Sequence, residues 1–101
     1  MVRIHGQWCG PNWTEGKAQP ANARGVDFNA PCSDKLDCAC RSHDNDCSHP
    51  LGCSKKGDDA LIEAALKEAL NPINILFKPR YAEKAGLVAS GIQLARTTRK
   101  R

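Results

Sequence analysis

The residues best suited to chemistry are two neighbours near the middle of the chain, His43 and Asp44. A neutral imidazole can take a proton from water as a general base, and a carboxylate can bind a hard cation. Burying both groups is costly unless each has a partner. A lone pair of this kind is more often a core histidine beside a solvated acid, so its interpretation depends on the elements around it.

A helix predicted over about residues 34–46 carries this pair. Ser33 is the expected N-cap, and acidic residues in the first turn favour the positive end of the helix dipole. Five side chains recur at helical spacing and share one face: Leu36, Cys40, His43, Asp44 and Cys47. The spacing therefore predicts that His43 and Asp44 face the interior, between two cysteines.

A second helix is predicted over about residues 58–70 and is ended by an Asn-Pro pair. Its apolar stripe is formed by Leu61, Ile62, Ala65, Leu66, Ala69 and Leu70. Asp58 precedes the first two of these by three and four residues, so it belongs to the buried stripe, whereas Asp59 does not. A carboxylate at that position can accept an N–H of His43 and fix its tautomer.

The N-terminal loop, residues 5–16, is punctuated by glycine and proline and contains Cys9. If Cys9 pairs with Cys40, which lies one helical turn before the His-Asp pair, the loop backbone is held beside that pair. Several converging carbonyl groups and one carboxylate suit Ca²⁺, which prefers about six to eight hard oxygen ligands. His43 would then direct its free nitrogen to the space beside the metal.

The last third of the chain begins with a short apolar segment, residues 73–77, bracketed by two prolines. A third helix is predicted over about residues 80–97. Its apolar face comprises Tyr81, Ala85, Val88, Ile92 and Ala95. Two glycines weaken this helix, and residues 96–101 are expected to fray.

All six cysteines lie in the first half of the chain. An even number at irregular spacing favours three disulfides and, with them, secretion into an oxidising compartment. Zinc is the alternative for the ligands that fall within 22 residues: Cys32, Cys38, Cys40, His43, Cys47, His49 and Cys53. Structural zinc sites usually contain CxxC pairs, which are absent here. Residues 1–10 lack the apolar stretch of a signal peptide, which conflicts only mildly with secretion.

Length predicts a single domain over residues 1–101, and no apolar run approaches the roughly 18 residues of a membrane-spanning helix. The net charge of +4 is uneven, since residues 1–31 carry +1, residues 32–70 carry −3 and residues 71–101 carry +6. A basic end is most simply a solvated segment. Contact with anionic lipid is an equal alternative, and nucleic acid is a weaker one because no aromatic platform accompanies the cations.

Two motifs in this chain resemble those of secreted phospholipases A2. Residues 5–10, His-Gly-Gln-Trp-Cys-Gly, are similar to the family's calcium loop. Residues 31–44, Pro-Cys-Ser-Asp-Lys-Leu-Asp-Cys-Ala-Cys-Arg-Ser-His-Asp, are similar to its catalytic helix. The bee-venom and plant types are the most similar in motif. The second helix matches more loosely, and the resemblance does not extend to residues 71–101.

The resemblance implies an all-α, disulfide-rich fold in which two antiparallel catalytic helices are joined to the calcium loop and a C-terminal helix is added. It implies that His43 is the base that activates water and that Asp58 orients it. The calcium ligands that it implies are the carboxylate of Asp44 and the backbone carbonyls of Trp8, Gly10 and Asn12. The Gly10 N–H and the ion would together stabilise the oxyanion of the intermediate.

The resemblance also implies a disulfide between the calcium loop and the catalytic helix. Two further bridges of many family members would join positions 39 with 64 and 46 with 57, and none of these positions is Cys here. The four other cysteines are therefore expected to close locally. The resulting pairs are Cys9–Cys40, Cys32–Cys38 and Cys47–Cys53.

Two departures from the family pattern concern the site itself. The end of the calcium loop, usually rich in glycine, reads Pro11-Asn12-Trp13 here, and Asn tolerates the left-handed conformation that such loops need. The Tyr that often supports the orienting Asp is missing after the His-Asp pair. Tyr81 is the candidate substitute, since the chain has no other Tyr.

Together these features predict a secreted, monomeric, calcium-dependent phospholipase A2 that hydrolyses the sn-2 ester of glycerophospholipids at a membrane or micelle interface. The candidate interface residues are Val2, Ile4, Trp13 and residues 73–77. One alternative is a non-catalytic phospholipase A2-like module that binds a receptor or a membrane. A second alternative is an intracellular zinc-binding domain. No specific nucleic acid is expected as a partner.

Overall fold

The computed structural model of the protein describes residues 3–101, and Val2, one of the predicted interface residues, lies outside them. The described chain is mostly helical. Its elements in order are β1 (Trp13–Thr14), β2 (Lys17–Ala18), α1 (Lys35–Cys47), α2 (Lys55–Leu70), α3 (Pro72–Phe77) and α4 (Pro79–Arg96). The predicted helical fold with paired first and second helices is therefore confirmed at this coarse level.

The N-terminal loop contains one short antiparallel hairpin, in which β1 pairs with β2. The two turn residues, Glu15 and Gly16, have φ angles of 55° and 71°. Positive φ at both positions is what a two-residue hairpin turn requires. The sequence predicts only loop here, because strands of two residues are too short to produce an alternating pattern.

Helix α1 begins and ends one residue later than predicted. Its N-cap is Asp34 and not Ser33, because the Asp34 carboxylate accepts a hydrogen bond of 2.8 Å from the Asp37 N–H. The predicted cap was wrong although both residue types cap well. Ser33 donates its own N–H and hydroxyl to the carboxylate of Asp37 instead.

Helix α2 begins at Lys55, three residues before the predicted start. Ser54 is its N-cap, and its hydroxyl accepts a hydrogen bond of 2.9 Å from the Gly57 N–H. A Cβ atom at Gly57 would collide with the carboxylate of Asp46 at the end of α1. Glycine thus allows the first turn of α2 to lie against α1, which brings Asp58 close to that helix.

Residues 73–77 form a short helix, α3, and not only an apolar segment. Pro72 occupies its first position, and the Asn71 side chain accepts a hydrogen bond from the Ile73 N–H. Helix α4 begins and ends one residue earlier than predicted. No helix among residues 3–101 has both the length and the apolar character needed to cross a membrane.

The residues after α4 do not fray as predicted. The N–H groups of Thr97 and Thr98 donate to carbonyls in the last turn of α4. Arg99 and Arg101 then reach acidic groups on the first two helices. The expectation of fraying failed because the partners lie more than forty residues away in sequence, where a local pattern gives no signal.

Three disulfides join Cys9 to Cys40, Cys32 to Cys38 and Cys47 to Cys53, which are the three pairs expected from the sequence. The first fastens the N-terminal loop to α1, and the third closes the turn between α1 and α2. No cysteine among residues 3–101 is free, so a zinc site built from thiolates lacks its ligands in this structure. The disulfides are compatible with an extracellular protein.

Helix α2 lies at the centre of the molecule, because it packs against both α1 and α4. The buried apolar core combines residues of all three helices with the N-terminal loop: Trp8, Cys9, Leu36, Cys40, Leu61, Ala65, Ala85, Val88 and Ala89. Burial of these side chains holds the two inner faces of α1 and α2 together. The packing therefore brings polar groups on those faces, in particular His43 and Asp58, into contact.

Candidate functional site

The central contact of the site joins His43 on α1 to Asp58 in the first turn of α2. The Nε2 atom of His43 lies 2.6 Å from Oδ1 of Asp58, and the side chains are 8% and 0% exposed. Because an ionised carboxylate only accepts hydrogen bonds, Nε2 carries a hydrogen, and in the neutral ring Nδ1 then has a lone pair. Asp59 lies on the surface and pairs with Arg96, so the structure brings Asp58 and not Asp59 to the histidine.

The other ring nitrogen of His43, Nδ1, receives a hydrogen bond from no N–H or O–H group of residues 3–101. Its nearest polar neighbour is Sγ of Cys47, at 3.6 Å, and that sulfur belongs to the Cys47–Cys53 disulfide. The His43 side chain also lines a cavity. A neutral imidazole with one nitrogen bound to a carboxylate and the other unprotonated beside a cavity can accept a proton there.

This cavity has a volume of about 420 Å³ and lies between the N-terminal loop, α1 and α4. Its lining includes the predicted site residues Trp8, Gly10, Asn12, His43 and Asp44. Asp58 does not line it and contacts His43 from the far side. The structure thus brings all the predicted site residues to one cavity or, for Asp58, to the group behind it.

The loop around Gly10 has a backbone that favours glycine and asparagine. Gly10 has a φ of 141° and Asn12 a φ of 52°, so Asn12 adopts the left-handed conformation that Asn tolerates. The Gly10 carbonyl accepts a hydrogen bond of 3.2 Å from the Trp13 N–H, which leaves it one lone pair. The Gly10 N–H donates to no group among residues 3–101.

Asp37 ties this loop to α1. Its fully buried carboxylate accepts hydrogen bonds of 3.0 and 2.9 Å from the N–H groups of Gln7 and Trp8, and two more from Ser33. Gly6 lies so close that a Cβ atom there would collide with the carboxylate. The sequence places Asp37 in the first turn of the helix, but the contact with the loop depends on tertiary structure.

Asp44 is a carboxylate with few partners. The Thr14 hydroxyl donates one hydrogen bond of 3.4 Å to it, and no Lys or Arg among residues 3–101 pairs with it. Burial raises the pKa of Asp44 to about 8, and the nearby Asp37 carboxylate contributes to the increase. A group in this environment strongly favours a bound proton or a bound cation over an isolated negative charge.

A second group of metal-ligating atoms lies beside His43. The ligand atoms of His43, Cys47 and Cys53 all lie within 4.8 Å of one another. Nitrogen and sulfur atoms suit zinc or another soft metal, and not calcium. Both sulfurs are held in a disulfide, however, so neither is the thiolate that such a metal requires.

Arg99 completes the contacts of Asp58. Its Nε and one terminal nitrogen donate hydrogen bonds of 2.8 and 3.2 Å to the two carboxylate oxygens. Tyr81, the predicted supporting residue, instead donates to Glu68 and accepts from the Leu36 N–H. The prediction that Tyr81 supports the orienting Asp is therefore wrong, because the first turn of α4 packs against the end of α2 that is opposite Asp58.

The residues that sequence reasoning missed are Thr14, the loop contact of Asp37, and Arg99. None belongs to a local pattern that points to the site, since each is separated from its partner by about 30 residues or more. Comparison with protein families, with curated proteins and with solved structures finds no match to this chain. The chemistry of the site therefore rests on the geometry of its own residues.

Proposed function

We propose that this protein is a calcium-dependent phospholipase A2, which hydrolyses the sn-2 ester of a glycerophospholipid to a lysophospholipid and a fatty acid. The observation that carries the proposal is the buried His43–Asp58 couple, in which His43 lines a cavity that Asp44 and the Gly10 loop also line. This combination places a base and a largely buried carboxylate on one cavity, with an orienting acid behind the base. It agrees with the roles that the two family-like motifs imply.

In the proposed reaction His43 takes a proton from a water molecule through Nδ1, and the oxygen of that water attacks the ester carbonyl. Asp58 keeps the ring oriented and stabilises the positive charge that it acquires. The Gly10 N–H, which has no partner among residues 3–101, is available to stabilise the oxyanion. The protonated His43 then gives its proton to the leaving alkoxide, so no covalent enzyme intermediate forms.

The residues around Asp44 offer the type of oxygen ligand that Ca²⁺ prefers. The Asp44 carboxylate and the backbone carbonyls of Trp8, Gly10 and Asn12 would hold it, and all four residues line the same cavity. The surroundings of Asp44 support a bound cation, since this carboxylate is largely buried and has no cationic partner among the described residues. A bound Ca²⁺ would supply that charge and polarise the ester carbonyl.

An apolar wall suits the acyl chain of the substrate. Helix α4 contributes Leu87, Val88, Gly91, Ile92 and Ala95 to the lining of the cavity, opposite His43 and Asp44. These side chains offer no charge and no strong hydrogen-bond donor. A fatty acyl chain could therefore lie along α4 while its ester group lies near His43.

The membrane interface proposed for the enzyme includes α3, the helix formed by the predicted interface segment. Its exposed apolar side chains are Ile73, Ile75, Leu76 and Phe77, and Leu70 extends the patch at the end of α2. Lys78 and Arg80 follow directly and are exposed. Apolar side chains flanked by cations suit an anionic lipid surface. Ile4 and Trp13 are only partly exposed, and Ile4 lines the cavity.

The decisive experiment measures fatty acid release from vesicles of phosphatidylglycerol and of phosphatidylcholine, with Ca²⁺ or with a chelator. We expect release that requires Ca²⁺ and that falls by several orders of magnitude in His43→Gln, because the base is removed. His49→Gln is the matched control, since His49 lies exposed in the turn after α1. Release without Ca²⁺, or equal rates for His43→Gln and wild type, would refute the proposal. Vesicle binding without any hydrolysis would favour the non-catalytic module instead.

A further inference from the structure

Arg99 holds the buried acid of the site with two hydrogen bonds. It reaches both oxygens of Asp58, and its side chain is 19% exposed while that of Asp58 is fully buried. One of these oxygens, Oδ1, also accepts the hydrogen bond from His43. A two-point contact between a planar guanidinium and a carboxylate fixes the plane of the carboxylate as well as its position.

The position of Arg99 is itself fixed from both sides. Before it, the N–H groups of Thr97 and Thr98 continue the hydrogen bonding of α4. After it, the Arg101 carbonyl accepts a hydrogen bond of 3.1 Å from the Lys55 N–H, and the Arg101 guanidinium donates to the Gly52 carbonyl. Residues 97–101 are therefore docked on the turn between α1 and α2, and Arg99 is directed inward.

The positive charge of Arg99 compensates the buried negative charge of Asp58. A carboxylate with no exposure is costly unless ion pairs and hydrogen bonds compensate it. When His43 is neutral, Arg99 is the only positive charge of residues 3–101 within hydrogen-bond distance of Asp58. Without it, the buried carboxylate of Asp58 would lose the two hydrogen bonds that fix its plane. It would tend to turn toward solvent, and that change would release the Nε2–H of His43.

We propose that Arg99 is a positioning residue for His43: it holds Asp58 in the orientation that keeps the hydrogen of His43 on Nε2 and leaves Nδ1 unprotonated. The role assigned to Nδ1 in catalysis rests on the proposed function, whereas the effect of Arg99 on the histidine tautomer does not. The segment of residues 97–101 is thus part of the site, although the family resemblance does not reach it.

The test uses the full chain with Arg99→Met, which keeps an unbranched apolar side chain and removes the guanidinium group with its charge. The ¹⁵N chemical shifts of the His43 ring, measured without Ca²⁺ at mildly alkaline pH, report the tautomer. We expect one dominant Nε2–H tautomer in wild type and a mixture in Arg99→Met. Arg96→Met is the matched control, because Arg96 pairs with Asp59 on the surface, and it should keep the wild-type shifts. Unchanged shifts in a folded Arg99→Met variant would overturn the proposal.

Kinetics supply the second measurement. We expect kcat for vesicle hydrolysis to fall by about 10- to 100-fold in Arg99→Met. Arg99 also lines the cavity, so a fall in kcat that exceeds the change in KM distinguishes a positioning role from a direct contact with substrate. If Arg99→Met does not fold, Arg99→Lys replaces it. Lys keeps the charge without the two-point contact, so it should give a smaller fall in kcat and a partial tautomer mixture. Wild-type values for both measurements in Arg99→Lys would then contradict the role.

The two proposals fail in different ways. A wild-type protein that shows the Nε2–H tautomer but hydrolyses no phospholipid would refute the phospholipase and leave the Arg99 contact intact. A protein that hydrolyses phospholipid equally well with Arg99→Met would refute the positioning role alone.

Discussion

At the scale of single residues, the site depends on three buried or largely buried carboxylates that have different partners. Asp58 is bound by a cation and an imidazole, Asp37 by backbone N–H groups, and Asp44 by one hydroxyl. These environments separate their roles. Two of the carboxylates are structurally satisfied, and only Asp44 lacks the partners that a negative charge needs.

The contact of Asp37 with the loop gives a prediction about stability. Asp37→Ala would leave buried N–H groups of Gln7 and Trp8 without acceptors, so we expect the free energy of unfolding to fall by about 3 kcal/mol. Denaturant unfolding with the disulfides intact measures this change. Asp27→Ala, at an exposed position of the same loop region, should change it by no more than about 0.5 kcal/mol. Equal effects of the two substitutions would contradict the tether.

The high pKa of Asp44 gives a prediction about pH. The folded protein holds the Asp44 proton up to about pH 8, whereas the unfolded chain releases it near its ordinary value of 3.8. Between these values the folded state binds more protons, so the contribution of Asp44 to stability falls as pH rises. With a chelator present, the free energy of unfolding of wild type should therefore be lower at pH 8 than at pH 5. The decrease should be smaller in Asp44→Asn.

The control for this effect is Asp59→Asn, which changes a surface carboxylate and should leave the pH dependence as in wild type. Added Ca²⁺ should stabilise wild type more at the higher pH, because the ion displaces the proton. It should not stabilise Asp44→Asn to the same degree. A pH dependence that is identical in wild type and Asp44→Asn would show that Asp44 ionises normally.

At the scale of elements, the helices follow from local signals and their exact ends follow from caps. The apolar stripe of the second helix identified Asp58 as an inward residue, because the helical period is the same in sequence and in structure. Its start was misplaced by three residues, since the cap at Ser54 lies before the apolar stripe begins. At α3 the sequence predicts only an apolar segment, because six residues are too few for a helical pattern.

The parts of the site that could not be predicted come from contacts between distant elements. Nothing near Arg99 in sequence indicates that it meets a buried carboxylate, and nothing near Thr14 indicates that it meets Asp44. A basic run in sequence has the same appearance whether it is solvated or docked. The motifs therefore indicated the residues that face the cavity, whereas the residues that support them became evident only from the packed structure.

Helix α4 gives a prediction about the substrate. Gly91 lines the cavity and has open space where a Cβ atom would be, so the side chain of Gly91→Leu would extend into the cavity. We expect hydrolysis of long-chain phospholipid to fall about tenfold or more, while a short-chain, dispersed substrate is hydrolysed nearly as in wild type. Gly86→Leu is the matched control, because Gly86 also has open space but does not line the cavity.

Both substitutions raise helix propensity by a similar amount, so a difference between them reports the cavity and not the helix. The two variants should have similar thermal stability, which is checked by circular dichroism. If Gly91→Leu hydrolyses long and short chains in the wild-type ratio, the acyl chain does not lie along α4.

At the scale of the whole molecule, the charge asymmetry has a different meaning from the one suggested by the sequence. Residues 71–101 carry +6, but three of their arginines pair with acidic groups of the first two helices. These ion pairs are Arg96–Asp59, Arg99–Asp58 and Arg101–Asp46. The docked cations compensate the acidic segment of residues 32–70, and the cations without a partner among residues 3–101 include Lys78 and Arg80, beside the apolar patch of α3.

If the protein binds a membrane as proposed, this distribution predicts which surface makes the contact. Leu76 on α3 and Leu51 in the turn after α1 are each 73% exposed, so their substitution by Ser removes the same side chain from two different surfaces. If α3 enters the interface, Leu76→Ser should weaken binding to phosphatidylglycerol vesicles severalfold, since one buried leucine contributes about 1.5 kcal/mol or more. Leu51→Ser should bind as wild type does. Sedimentation with vesicles measures the binding of both variants. Salt should weaken the binding of wild type, because Lys78 and Arg80 would face the lipid in this arrangement. Equal losses in the two variants would place the interface elsewhere, whatever their hydrolytic rates on dispersed substrate.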